Sequence, residues 1–369
     1  MTHTPHRDRS SEHEIAAILM GARLVPSNPS SFVDMALCHR MAPLLVHVGL
    51  EDRLPEREAA RLLDQARAEA AIDEVRRREL CRVLCALRAD GIDVLVTKGA
   101  HLACTCYAES HLRPRDDADL LVAPGDRIRV AEALARAGYA HLPDISGDVV
   151  HGQLLFGRRD NVPLVLDVHW RVAGPRVAAD LLTFEELWRR AVDLPRLGPC
   201  ARGPAPVDAL ALACIHQAAH HPEHDLLLWS HDAWLLLAGF SDAEADAFCA
   251  LAIERQMTRI CAYTVAESAA YFPTPRSSRV LERLRAAGGD EPTAFLVHER
   301  TPLQQLTSDL ATTRGWIARG RLILGHLFPP PAYMRHAYGV PTAALPLAYG
   351  YRIVRGAGRW LVRGGPGGA

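Results

Sequence analysis

Three aspartates, Asp116, Asp117 and Asp119, stand in front of an apolar run in "RPRDDADLLV", residues 113–122. Read as a strand, this segment sends alternate side chains to opposite faces. Asp117 and Asp119 then share one face. Asp116 goes with Ala118, Leu120 and Val122 to the other and reads as a turn or capping residue. Two carboxylates two residues apart on one face can share divalent cations. Magnesium prefers such oxygens and keeps coordination sites open for phosphate. Two such ions can activate an attacking hydroxyl and stabilise a departing pyrophosphate. A third acid, Asp167 in "VLDVHW", sits alone in an apolar strand, where a carboxylate is costly unless paired or metal-bound. Asp117, Asp119 and Asp167 are therefore the expected catalytic and metal-binding set. The plain alternative has these acids capping a helix or pairing with Arg113 and Arg115.

Other residues suit an anionic ligand. In "TKGAHL" Lys98 and Gly99 end a strand and begin a helix. A glycine there lets backbone N–H groups approach a phosphate, and a helix N-terminus favours anions. His169 follows Asp167 by two residues and shares its face, so it can hydrogen-bond that acid or touch a substrate. "HQAAHHPEHDLLLWSHD" places His216 and His220 one helical turn apart and ends at Asp232. That spacing can ligate zinc, but neither a glutamate between the histidines nor a cysteine pair completes a set. A polar patch with one histidine bonded to Asp232, or a role in acceptor recognition, are the other readings.

These residues need elements to position them. Residues 13–90 are rich in Ala, Leu, Glu and Arg at helical spacing and stop at Gly91, a helix cap. "IDVLVTKG", "AHLACTCYA", "DADLLVA" and "GDRIRVAEALARAGY" read as strand, helix, strand, helix. "GQLLFG" and "VPLVLDVHWRV" around "RRDN" read as a hairpin. The expected organisation is a disordered tail at 1–12, an N-terminal helical segment at 13–90, an α/β unit at 91–193 and a Pro/Gly-rich linker at 194–206. A helical domain at 207–355 and a second tail at 356–369 follow.

Composition narrows the class. A formal net charge of −1 over 369 residues lacks the basic excess of a nucleic-acid-binding surface. Nine cysteines, without a CxxC pair, read as reduced thiols of a cytoplasmic protein. No apolar run of about 18 residues is present, so no membrane span and no membrane partner are expected. The polar start gives no expectation of a signal peptide. Oligomeric state is left open.

The motifs "VTKGAHLACTCYAESHLRPRDDADLLV", "RAGY" and "LDVHW" together resemble the DNA-polymerase-β-like nucleotidyltransferase superfamily. Within it they are most similar to an uncharacterised bacterial nucleotidyltransferase family. "ALACIHQAAHH", "LLLWSHDAWLL" and "LFPPPAYMRHAYG" extend the likeness to most of residues 35–355. The resemblance implies an α+β fold, with a small α/β unit and mixed sheet between N-terminal helices and a C-terminal helical domain. It implies transfer of a nucleoside monophosphate from an NTP such as ATP to a hydroxyl on a small molecule or peptide. Two Mg²⁺ ions would be held by Asp117, Asp119 and Asp167, with Asp167 also the base. Gly99 would face the phosphates, beside Lys98, and Arg113 would hold the triphosphate or brace the site. The superfamily has Gly-Ser at the turn, whereas this chain has Lys98-Gly99-Ala100. A non-catalytic nucleotide- or partner-binding protein is the alternative, and a histidine-based metallohydrolase the third reading.

Overall fold

The computed structural model of the chain describes residues 9–142, 152–158, 163–220, 226–298 and 301–361. Three short helices, α1 (Arg9–Leu19), α2 (Pro29–Cys38) and α3 (Ala42–His47), lead into the long α4 (Glu56–Ala89). Neither proline nor glycine interrupts α4, and Leu80, Val83, Leu84 and Leu87 bury one of its faces. Gly91 follows with φ +68°, a left-handed turn that favours glycine. Asp73 is a charge on the buried side of α4. Arg115 compensates it at 2.7 Å, and the Ser110 hydroxyl donates to the same carboxylate.

The sheet comprises β1 (Val94–Thr97), β2 (Asp117–Val122), β3 (Tyr139–His141), β4 (Gln153–Arg158) and β5 (Val165–His169). Helix α5 (Lys98–Thr105) joins β1 to β2, and α6 (Arg127–Arg136) joins β2 to β3. The strand order is β1-β2-β5-β4-β3. Strands β2 and β5 run parallel; the other neighbours are antiparallel. The fold is therefore α+β with a mixed sheet. The expected hairpin is β4–β5, and residues 159–162 of its turn lie outside the described residues. Strand β3 was not expected; three residues after Gly138 are too few to show alternation.

Helices α7 (Arg176–Ala179) and α8 (Phe184–Arg190) come next, followed by a small ribbon of β6 (Val192–Asp193) and β7 (Arg202–Gly203). The stretch read as a linker thus carries β7. The helical region runs through α9 (Pro206–His220), α10 (Leu227–Gly239), α11 (Asp242–Glu254), α12 (Thr258–Tyr271) and α13 (Pro275–Ala287). It continues with α14 (Pro302–Thr312), α15 (Trp316–Leu327), α16 (Pro331–Tyr338) and α17 (Leu345–Leu361). Of the two expected tails, residues 1–8 and 362–369 lie outside the described residues, while 9–12 are in α1 and 356–361 in α17.

Both faces of the sheet are covered. Leu80, Leu84, Val96, Leu120 and Leu166 share one core with α4 and α6. Leu95 and Leu121 on the opposite face join the core of α9, α11 and α12. That double burial is why β1 and β2 read as continuous apolar runs instead of alternating. A third core joins α1–α3 to Leu227, Leu228 and Phe272, so the N-terminal helices reach across to α10. Among the described residues, no helix is long and apolar enough to cross a membrane.

Glu79 fastens α4 to the far edge of the sheet. It accepts from Arg82 at 2.7 Å and from Arg158 and the Tyr139 hydroxyl at 2.8 Å each. Burial opposes its ionisation, yet these three donors outweigh burial and bring the carboxyl from 4.5 down to about 2. A depressed carboxyl stabilises the fold above its unfolded value and loses that stabilisation as pH falls through the folded one. Glu79→Gln is therefore expected to lower the melting temperature at neutral pH. It should also flatten the acid decline between pH 4.5 and about 2, read by thermal melts across that range.

Candidate active site

Strand pairing brings the acids together. In the parallel register of β2 on β5, Asp119 is the direct partner of Asp167, and Asp117 of Val165. His169 follows Asp167 on the same face. Its Nε2 lies 3.0 Å from Asp119 Oδ1 and 3.0 Å from Asp167 Oδ2. One ligand atom from each of Asp119, Asp167 and His169 lies within 4.8 Å of the others, the only such trio of metal-ligating side chains among the described residues. Asp117 lies outside this trio. It is half-buried on the same face of β2 and lines the cavity described below.

Lys98 enters from the end of β1. Its backbone has φ +49°, a left-handed conformation uncommon for a side chain of this size. The turn starts α5 and sends the ammonium to Asp119 Oδ1 at 2.6 Å, with His169 Nε2 at 3.5 Å. Lys98 is thus a counter-ion inside the cluster. Burial would lower its pKa, but Asp119 and Asp167 outweigh that and raise it.

The carboxylates differ in charge state for physical reasons. Burial would raise Asp119, but Lys98 and then His169 hold it well below the usual carboxylate range. Asp117 has no such partner: burial and the neighbouring Asp119 push it up to about 6. Burial and Lys98 act against a charged His169, yet Asp167 and Asp119 win and raise it. Asp167 Oδ1 is buried and has no hydrogen-bond partner. An orphaned carboxylate oxygen costs about 1–3 kcal/mol or more. This oxygen, with Asp117 facing the same cavity, fits a divalent cation that would satisfy both.

Gly99 lines the cavity described below and is also closely packed. A Cβ there would come within 2.5 Å of the Arg113 guanidinium, so the missing side chain gives Arg113 its passage. Arg113 runs to Asp232 of α10, donating from Nη2 at 2.7 Å and from Nε at 3.2 Å. The Tyr107 hydroxyl donates to the other oxygen of Asp232 at 2.6 Å and lies 3.1 Å from His231 Nδ1. All four residues are buried. Arg113 thus braces the segment before β2 against α10, and it also lines the cavity described below. Nothing in the spacing of Tyr107 points to a partner 125 residues away.

A cavity of about 540 Å³ opens between the sheet end and α9, α10 and α12. Lys98, Asp117, Asp119 and Asp167 line one side, His216, Gln217, Trp229 and Thr264 the other. Sequence reading missed Gln217, Trp229 and Thr264, because helical spacing does not say which polar residues face a cavity. His216 meets the Trp229 ring edge-on, centroids 6.2 Å apart. The side chain of His220, and all of His221 and His224, lie outside the described residues. At the rim the half-buried Arg40 pairs with the exposed Asp116.

The uncharacterised nucleotidyltransferase family matches residues 26–273. The chain belongs to this family. As a family member it has a general nucleotidyl-transfer activity to be expected of it, with an NTP as substrate, and its Asp-Asp-His cluster is able to bind a metal. The family match covers α2 through α12, and therefore both walls of the cavity. No curated protein sequence matches the chain.

Proposed function

We propose that the cavity binds an NTP with Mg²⁺ and transfers its nucleoside monophosphate to a hydroxyl on a small molecule or peptide. The observation carrying this reading is the pairing of Asp119 with Asp167 across parallel strands, with Asp167 Oδ1 unsatisfied. Asp117, Asp119 and Asp167 would hold the metal, which when bound supplies charge neutralisation for the triphosphate and a more acidic acceptor hydroxyl. Asp167 also takes the hydroxyl proton. The acceptor oxygen bonds the α-phosphorus, the bond from that phosphorus to the bridging oxygen breaks, and pyrophosphate leaves. His169 spaces Asp119 from Asp167, and Lys98 holds Asp119 ionised. The cavity volume lies within the usual range for small-ligand sites, roughly 300–1,000 Å³.

Phosphate recognition falls to Arg40 in this reading. Its pairing with Asp116 is a surface one, worth at most about 1 kcal/mol, so the guanidinium is free to exchange to a phosphate. Arg40→Ala is expected to raise the KM for NTP roughly tenfold, as loss of one charged hydrogen bond does, with kcat changed little. Steady-state kinetics would read this, and an unchanged KM removes Arg40 from the site.

A second reading is a nucleotide- or partner-binding protein without turnover. Lys98 and His169 both sit on Asp119 Oδ1, so that carboxylate is neutralised by the chain itself. Calorimetry with ATP, GTP, CTP and UTP, each with and without Mg²⁺, followed by a pyrophosphate assay over an acceptor panel, separates the two. Metal-dependent binding with pyrophosphate release supports transfer. Binding without release supports the second reading, and no binding of any NTP removes both.

A further inference from the structure

Residues 310–369 hold eight arginines, no lysine and no acid, which leaves residues 1–309 net negative by nine. This basic segment lies beyond the family match. It is also where exposed apolar side chains gather. On α15, Trp316 is 85% exposed and Ile317 76%, with Leu324 open beside them and Phe328 just past the helix end. Trp316, Ile317, Gly320 and Leu324 share one helical face, while Leu322 points inward and is buried. On α17, Leu347 and Val354 are 78% and 77% exposed, and Tyr351 lies between them at helical spacing. Arginines are set among these rings. The Arg319 guanidinium lies 5.5 Å from the Trp316 ring centre and that of Arg355 5.7 Å from Tyr351. Arg321 is exposed on the same helix as Trp316.

We infer that α15 and α17 dock on the surface of an anionic lipid bilayer. A solvent-facing stripe of Trp, Ile, Leu and Val is unfavourable in water and marks a contact surface. An anionic bilayer meets both properties at once, burying the apolar face at the headgroup boundary while arginines reach the phosphates. A second copy of the same face would set arginines against arginines. A nucleic acid would use the arginines and leave Ile317, Leu347 and Val354 in water. The contact lies on the bilayer and does not span it, since α17 carries Arg352 and Arg355 along its length. It departs from the sequence expectation of no membrane partner.

Flotation of the full-length protein tests this, using vesicles of phosphatidylcholine alone and of phosphatidylcholine with phosphatidylglycerol. Flotation is expected with the anionic vesicles only, weakening as salt is raised. A Trp316→Ser, Ile317→Ser, Leu347→Ser, Val354→Ser variant should bind them roughly tenfold less tightly or worse, with an unchanged melting temperature because these residues are exposed. Absence of flotation on anionic vesicles overturns the inference. So does equal binding by the variant, which would make the attraction purely electrostatic. Sedimentation without lipid supplies the remaining arm: a dimer that the same substitutions dissociate would make this face a self-contact and overturn it too.

Discussion

Asp119→Asn is expected to lower nucleotidyl transfer by roughly 10³-fold or more while the protein stays folded. Asparagine keeps the shape and one acceptor oxygen, so Lys98 and His169 retain a hydrogen-bond partner there. What disappears is the negative charge at the centre of the cluster. Asp119 is the residue whose carboxylate lies beside Asp167 and within 2.6 Å of Lys98. Removing its charge weakens any cation held between β2 and β5, and a catalytic metal contributes several kcal/mol of transition-state stabilisation. Lys98 keeps the nearby charges of Asp167 and Asp117, so the fold does not inherit an isolated buried ammonium. Pyrophosphate release reads the transfer, Mg²⁺-dependent NTP binding reads the metal site, and a thermal melt reads the fold. Asp116→Asn, at the exposed rim, is the matched control and should leave release within about twofold. Full activity in Asp119→Asn would end the proposed mechanism.

The second large effect is on stability. Asp232→Ala is expected to cost about 3–5 kcal/mol, because Arg113 then holds a buried charge without a counter-ion. The Tyr107 hydroxyl loses its acceptor in the same step. At the scale of a chain this long, the melting temperature should fall by roughly 4–6 °C. Arg113→Met combined with Asp232→Leu removes both charges and should cost clearly less than the two single changes added together. An additive double variant would show that the two residues do not act as a pair.

How much of this could be read in the sequence depends on the length scale of each interaction. Side-chain alternation puts Asp117 and Asp119 on one face and His169 with Asp167, because a strand repeats every two residues whatever surrounds it. The sequence reading grouped Asp167 with Asp117 and Asp119 as acids on strands of one unit, but the parallel register that sets it beside Asp119 is a long-range pairing no local pattern encodes. The motif resemblance carried the mixed sheet, which periodicity alone cannot give. The Arg113–Asp232 pair is another matter. Its partners are 119 residues apart, and no local pattern encodes which of many acids meets which arginine. Gly99 had a sound local reading as a phosphate-facing turn, yet its closest constraint is the Arg113 side chain passing beside it. The contact of Lys98 with Asp119 likewise comes from a left-handed backbone that no local pattern announces.

The brace formed by Arg113, Asp232 and Tyr107 also says how the cleft can open. Swinging α10 away from the sheet would pull apart a buried ion pair and strand a tyrosine hydroxyl, a motion several kcal/mol uphill. Parting the Arg40 and Asp116 side chains at the rim, where the carboxylate is exposed, costs at most about 1 kcal/mol. The wall behaves as a fixed gauge and the rim as a latch. The width of the cavity is then set by three buried side chains, while the rim pair lining the same cavity is the part that moves at little cost.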